Sequence, residues 1–559
     1  MLTRAIRNWW SSRAGVPQPV EKNRPDDPAV QPEERARLHL ERARALQAGG
    51  DARSALDEVE RAAKIAPDNV EVLVEQGRLN LLLGETADAR DSFQLAVAHS
   101  PSDVDALLGL ARTLRRAQDA VAARPHIESA QRLAPARADV HFEAAGVMGA
   151  CDDLPTAVAA YARGLELDAG NAAMWSNFGL LYLNRLGDAV AAERCFRRAL
   201  ALEPATVGAN ANLGLALDGQ GRTAEALEHY GKLIAEFPDE AEYRWNRGLA
   251  LLASGNYAQG WEDYELRNGP VRGTPPRDFP FETWRGEALP AGSALLVYAE
   301  QGVGDEIMFA SCLPELSARV NCVVECDVRL EGLFKRSFPH ARVHAARRDG
   351  DRGWLDSYPD IGVQTAIGSL PRFMRRSASD FPDSGGYLIA DPARVTKWRD
   401  YFAQRAGTQP RIGIAWRGGT RATWRELRSV EPQRLAPLLE IPCLWVNLQR
   451  GGAEDLARLH PAHAARIVDC SDAADDIDEL AALCMALDAV VTVDNTLAHL
   501  AGALGRATSI MLAYNADWRW VRGSKASPWY PAARLYRQHS PGAWDDVVRE
   551  LANDVAHAI

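Results

Sequence analysis

The feature that most limits what this chain can fold into is a repeat of helix-stopping positions. Pro67, Pro101 and Pro135 are spaced by 34 residues, Ala169 takes the next place, and Pro204 and Pro238 follow at intervals of 35 and 34. Small and bulky residues recur in register with them, as in Gly77–Ala89–Phe93–Ala96–Pro101, Gly179–Phe196–Ala199–Pro204 and Gly214–Ala226–Tyr230–Pro238. Small residues let two antiparallel helices approach, an aromatic ring fills the groove, and proline ends the second helix. A unit of this size cannot bury its apolar face alone, so its neighbours must stack on it. The fifth unit carries one inserted residue.

This period resembles that of tetratricopeptide (TPR) repeats. It predicts an α-solenoid over 35–268, with six repeats and a partial seventh. That last piece, from Ala241 to Arg267, starts like a repeat but ends in the aromatic run Trp261–Tyr264 without the terminal proline, and is expected to be a capping and docking helix pair. The concave face of a solenoid suits a protein partner or an extended peptide; spacing or dimerisation is the competing reading. Residues 1–34 read as a flexible N-terminal segment, because 11–32 hold five prolines, many charges and no periodic apolar face. Arg4, Arg7, Trp9 and Trp10 leave open a weak contact of the first ten residues with a membrane surface.

A segment rich in proline, glycine and arginine, 269–292, reads as a linker, and the pattern then changes. Apolar strand-like runs at Ala294–Ala299, Val320–Cys326, Arg342–His344 and Ile361–Gln364 alternate with helical stretches. A second series follows at Arg411–Trp416, Leu444–Leu448, Arg466–Val468, Ala489–Val493 and Thr508–Ala513. Such βα alternation predicts parallel, doubly wound sheets, here two Rossmann-like lobes at 293–408 and 409–559 with a cleft between them.

Composition narrows the function classes. A formal net charge of −11 opposes a general nucleic-acid binder, which needs a basic surface to release counterions. No apolar run approaches the ~18 residues of a membrane span, and the start lacks a signal-peptide core, so a cytoplasmic location is expected, peripheral to the inner membrane face if the first ten residues bind it. The eight cysteines show no CxxC spacing, which favours reduced, partly buried thiols over disulfides or a zinc site. Cys322 and Cys326, in one apolar run, read as core residues.

Three constellations fall where strands end and helices begin, the place where open α/β sheets bind ligands. Glu300-Gln301-Gly302-Val303-Gly304-Asp305 follows the first strand; its glycines permit close approach to a ligand, while Asp305 is equally placed to cap a helix. Ile412 to Thr420, with Arg421, Arg425 and Arg428, ends a strand in glycines and arginines that suit a diphosphate, with Arg417 and Arg428 favoured and solvated surface charge as the alternative for Arg421 and Arg425. Asp494-Asn495-Thr496 opens a helix that carries His499 one turn later. These are good cap residues, and their free N–H groups also suit a pyrophosphate. A lone helical histidine is more often structural.

Together the segments resemble the GT-B glycosyltransferases of family nine, the group of the ADP-heptose:lipopolysaccharide heptosyltransferases. The resemblance runs from Ser293 to the C-terminus. It rests on Gly304-Asp305 with Pro314 nine residues on, and on Asp494 with His499-Leu500-Ala501. It is closer still to bacterial proteins that join TPR repeats to such a domain, through Glu300–Asp305, Gly413–Trp416, Asp517-Trp518-Arg519-Trp520 and Ser527–Pro531.

The resemblance implies that Asp305 is the catalytic base, that Arg428 replaces a donor-phosphate lysine, that Asp494, Asn495 and Thr496 cradle a nucleotide diphosphate, and that His499 supports their loop. Gly302, Gly304 and Arg417 complete the expected donor site. Gln301, Trp416, Trp518 and Trp520 are candidate walls of a sugar or acceptor cleft, with packing between lobes as the other reading of the tail tryptophans. Asn495 in place of a threonine, and arginine in place of lysine, leave the donor open. The implied reaction is an inverting, metal-independent transfer from a nucleotide-sugar to a glycan or polypeptide acceptor, with no cofactor. Two rivals remain: a non-catalytic TPR scaffold whose C-terminal half only binds a partner or nucleotide, and a protein O-glycosyltransferase resembling O-GlcNAc transferase.

Overall fold

The computed structural model describes residues 31–269, 271, 277, 279–346, 351–383, 385–419 and 425–558. The segment 1–30, with its expected flexibility and membrane contact, and Thr420 and Arg421 lie outside the described residues. The chain forms two compact units, one ending at Phe178 and one beginning at Gly179, so the helix pairs divide between both. The α-solenoid reading of the N-terminal part and the parallel α/β reading of the C-terminal part both hold.

In the first unit, antiparallel pairs Pro32–Ala48/Ala52–Ile65, Val70–Leu83/Thr86–His99, Val104–Arg116/Ala120–Leu133 and Ala138–Ala150/Leu154–Leu167 follow one another. Asp51, Asn69, Asp103, Asp119 and Asp153 start five of these helices by accepting a backbone N–H three residues on. The repeat prolines Pro67, Pro101 and Pro135 each lie two residues past a helix end. Phe93 explains the recurring register of small residues around it. A Cβ added at Gly77 would stand 2.7 Å from its ring, and one at Gly109 2.2 Å.

The second unit begins inside the next pair. Helix Ala172–Leu181 passes into a π-helical turn, Tyr182–Leu186, which ends at Gly187 with φ 68°. That turn takes up the inserted residue of the fifth repeat without breaking the helix. Pairs follow at Val207–Gly219/Thr223–Glu236 and Ala241–Ala253/Tyr257–Tyr264, with rings again seated on glycines: Phe196 on Gly179 and Tyr230 on Gly214.

The α/β part of this unit holds eleven strands among the described residues: β1 (Glu282–Thr283), β2 (Ala294–Tyr298), β3 (Cys322–Asp327), β4 (Ala341–Ala346), β5 (Ile361–Ala366), β6 (Arg411–Ile414), β7 (Leu444–Asn447), β8 (Ile467–Asp469), β9 (Ala489–Val493), β10 (Thr508–Leu512) and β11 (Ala533–Arg537). They build two parallel sheets, ordered β1-β5-β2-β3-β4 and β11-β10-β9-β6-β7-β8. In each, the chain adds strands to one side of an inner strand and then crosses to the other, leaving switch points between β2 and β5 and between β6 and β9. β1 lies in the segment expected to be only a linker, and β11 is an additional strand that the sequence reading did not include.

Side chains alternate across the sheets. Ile412 and Ile414 face one core, with Trp445 and Val491; Ala415, Val446 and Val490 face the other. Cys322 and Cys326 are buried on one face of β3 with Val324, as core residues. The larger core also contains Trp245, Trp261 and Tyr264, so the last helix pair is part of the α/β hydrophobic core. Among the described residues no helix is long and apolar enough to cross a membrane.

Candidate functional site at the strand ends

The Glu300–Asp305 turn leaves the carboxyl end of β2 and opens helix Val303–Phe309. Gly302 caps this helix with φ −78°, a conformation open to any residue, so its glycine is not required for a tight turn. Gly304 has a different reason: a Cβ there would lie 3.1 Å from His499 Cδ2 and 3.6 Å from Thr496 Oγ1. The missing side chain lets the turn after β2 touch the turn after β9. Two helix N-termini from different sheets therefore meet, as the sequence reading of Asp305, Thr496 and His499 requires.

Asp305 serves its own helix, accepting the Gly302 N–H at 3.3 Å through Oδ2. Its Oδ1 accepts from Arg519, whose Nε is 2.9 Å away and whose Nη2 also reaches it. The same guanidinium bonds Asp517. Burial works against ionisation of Asp517, but the charge and hydrogen bonds of Arg519 overcome it and hold this carboxyl below its ordinary range. One cation thus serves two carboxylates.

On the β9 side, Asn495 is a helix cap in the strict sense. Its Oδ1 accepts the Ala498 N–H at 3.1 Å and its Nδ2 donates to the Arg417 carbonyl at 3.1 Å. Asp494 is buried and paired with Arg428, whose Nη2 lies 2.8 Å from Oδ2 and donates to the Asp494 carbonyl at 2.7 Å. Gly418 permits this meeting, since a Cβ there would stand 2.6 Å from the Asp494 carbonyl oxygen. Arg428, Asp494, Asn495 and Thr496 are therefore brought together.

Arg417 is not. Its guanidinium turns to the Arg450 and Gly451 carbonyls, at 3.1 and 2.7 Å, and to Asp455 at 3.2 Å. Trp416, expected on a cleft wall, is 1% exposed in the core with Ile412 and Ile414, and its indole N–H donates to Asp455 at 2.9 Å. The Trp416 expectation is corrected by the alternation of the strand, which carries residue 416 on the same face as 412 and 414. The Arg417 guanidinium, expected in the donor site, is held by these carbonyls and this carboxylate.

The tail tryptophans are also buried. Trp518 packs edge-on against Trp261 at 5.5 Å, and Trp520 stacks on His499 at 5.2 Å, so neither is an open cleft wall. Gln301 exchanges hydrogen bonds with the Tyr264 hydroxyl at 3.0–3.2 Å, binding the turn to the last helix pair. Next to it, Arg267 forms a buried ion pair with Glu300 at 2.8 Å. Arg519, Asp517 and Tyr530 belong to the site, although the sequence reading names the tail Trp518–Tyr530 only as a stretch that lines the cleft or packs between lobes and gives none of the three an individual role. Their one signal was position, inside the aromatic tail segments already singled out.

His499 is buried, with Nδ1 2.8 Å from the Tyr530 hydroxyl. Burial pushes its pKa down from 6.5 to about 4, against the pull of Asp494. The folded state therefore prefers neutral imidazole. Between pH 6.5 and about 4 the unfolded chain binds more protons than the native one, so stability falls as pH falls and this contribution is fully present above 6.5. The shift corresponds to about 3 kcal/mol across that window. Urea midpoints measured from pH 7 to pH 5 should decline less in His499→Gln than in the parent; parallel curves would exclude this residue as the source.

The tetratricopeptide repeat family model matches residues 40–104, 83–138, 185–230 and 211–270, and the chain carries these repeats. Protein FlbA of Caulobacter vibrioides is 30% identical over 402 residues, covering 68% of this chain. The chain spans 66% of the length of that relative. The match is longer than everything before the α/β part and so extends into it. Among solved structures, the thermophilic TPR protein TTC0263 of Thermus thermophilus is 23% identical over 33% of this chain and 98% of its own, with a TM-score of 0.30. The type IV pilus biogenesis factor PilW is 16% identical over 37% and 96%, with a TM-score of 0.36.

Proposed function

We propose that this TPR-repeat chain is a glycosyltransferase with a GT-B-like C-terminal half, moving a sugar from a nucleotide-sugar donor to a glycan or polypeptide acceptor. One observation carries the reading: the Asp305 turn after β2 touches the Thr496–His499 turn after β9, across two parallel sheets. An inverting transfer needs a carboxylate near the acceptor and stabilisation of the departing diphosphate at one place. The acceptor oxygen bonds the anomeric carbon, the bond to the diphosphate breaks, and the acceptor proton passes to Asp305. Arg428 and the N–H groups at the start of helix Thr496–Ala503 stabilise the leaving charge. Donor binding replaces Asp494 on Arg428 with a phosphate oxygen. The repeats bind a protein partner or present the acceptor.

Incubation of the full chain with a panel of nucleoside diphosphate sugars, followed by release of nucleoside diphosphate, tests the activity. Arg428→Ala should weaken nucleoside diphosphate binding about 10- to 100-fold by calorimetry, the loss of one charge-assisted hydrogen-bond partner. Arg428→Lys should recover part of it, and equal affinity in Arg428→Ala would remove the arginine from the site. A second reading, nucleotide or partner binding without transfer, draws on the fact that Asp305 and Asp494 each already hold an arginine partner. Binding without diphosphate release across the panel would favour it.

A further inference from the structure

A cavity of about 540 Å³ lies apart from the Asp305 turn, at the switch point between β2 and β5. Its wall is made by the end of the last helix pair, by β1, and by the carboxyl ends of β2 and β5; no described residue of the six-stranded sheet lines it. Open α/β sheets bind ligands at such places.

The lining has a specific chemistry. Glu265 pairs at 2.8 Å with Arg267, which it shares with Glu300, and accepts from Ser369 at 2.9 Å, while Arg372 is paired with Glu262 at 2.6 Å. Arg285 also lines the cavity, without an ion pair among the described residues, so the wall carries both signs of charge together with spare lone pairs and N–H groups. Gln364 uses its amide nitrogen on the Phe279 and Phe281 carbonyls, which leaves Oε1 buried with no hydrogen-bond partner among the described residues. Among those residues the Tyr298 hydroxyl makes no hydrogen bond either, and burial, pushing it up to about 12, keeps it a neutral donor and acceptor. Trp284 and Phe373 complete the wall with rings 5.0 Å apart. A neutral molecule dense in hydroxyl groups finds alternating donors and acceptors against apolar rings here.

We propose that this cavity is a carbohydrate-binding site taking one neutral glycosyl residue. It does not depend on the transfer reading: a transferase would hold a sugar unit here away from the reacting bond, and a non-catalytic protein would use the same site for recognition.

The test is saturation-transfer NMR on the full chain with millimolar methyl glycosides of glucose, galactose, mannose and N-acetylglucosamine. At least one should give signal, and Thr283→Trp and Asn268→Trp, which place an indole at the cavity wall, should reduce it to background. Nucleoside diphosphate affinity should be unchanged in both variants, which separates this site from the one containing Arg428. No signal from any of the four glycosides, signal that persists in both variants, or displacement of the glycoside by inorganic phosphate would each overturn the proposal.

Discussion

Replacing Asp305 by asparagine should lower turnover about 10²- to 10⁴-fold, the usual loss on removing a general base, while nucleoside diphosphate affinity stays within error of the parent. The carboxylate is salt-bridged to Arg519, so the expectation depends on the charge count around it. Asp305, Asp517 and Arg519 together carry one excess negative charge. Asp517 is held ionised by Arg519. Protonation of Asp305 would leave a neutral Arg519–Asp517 pair, so the trio can accept one proton without stranding a buried cation. Oδ2 is the available oxygen, since among the described residues its hydrogen bond is the long one from Gly302. Asparagine preserves an acceptor for Arg519 and removes the proton-accepting oxygen. Turnover by diphosphate release and binding by calorimetry should therefore separate in this variant. Parental turnover would exclude Asp305 as the base, and loss of both together would make it a structural residue of the turn.

How far the sequence could carry this picture depended on whether a contact was local. Repeat boundaries were legible because proline recurs at nearly every period and glycine–aromatic pairs recur in register with it in several units, and even the extra residue of the fifth repeat had a local solution in the π turn at Tyr182–Leu186. Strand ends were legible for the same reason, and they placed Asp305 and Thr496 correctly at facing turns. The two strands that escaped have weak local signals. β1 is two exposed residues, and β11, Ala533–Arg537, mixes arginines with apolar residues whose burial only its neighbour β10 decides.

The misplaced side chains have a simple cause. Arg417 stands at a strand end among glycines and arginines, which suits a phosphate, yet its guanidinium is held by carbonyls 33 and 34 positions away. Trp416 was judged by a motif, although its two-residue spacing from Ile414 and Ile412 already put it on the core face. Arg519 meets Asp305 across 214 positions, and no spacing rule reaches that far. The direct tie between the last repeat and the candidate turn, through Tyr264 and Arg267, was equally beyond local rules. The sequence indicated docking but not the partners.

That tie leads to the largest expected loss of stability. Trp261 is 1% exposed, donates its indole N–H to the Arg375 carbonyl at 2.7 Å, and packs edge-on against Phe309, Trp518 and Trp529. Phe309 ends the helix that carries Asp305 in its first turn, and Trp518 and Trp529 belong to the tail that carries Arg519. Trp261→Ala removes a ring from a closely packed cluster and should cost about 3–5 kcal/mol, transfer and cavity terms together. Trp261→Phe keeps most of the packing but leaves the Arg375 carbonyl short of a donor, for about 1–3 kcal/mol. Because the cavity would open between the last helix pair and the Glu300–Asp305 turn, hydrogen exchange should rise at both places in the alanine variant, while helices Val70–Leu83 and Thr86–His99 in the first unit remain as protected as in the parent. Faster exchange confined to Tyr257–Asn268, with the turn unaffected, would mean that the repeats are attached to the α/β part without supporting its candidate site.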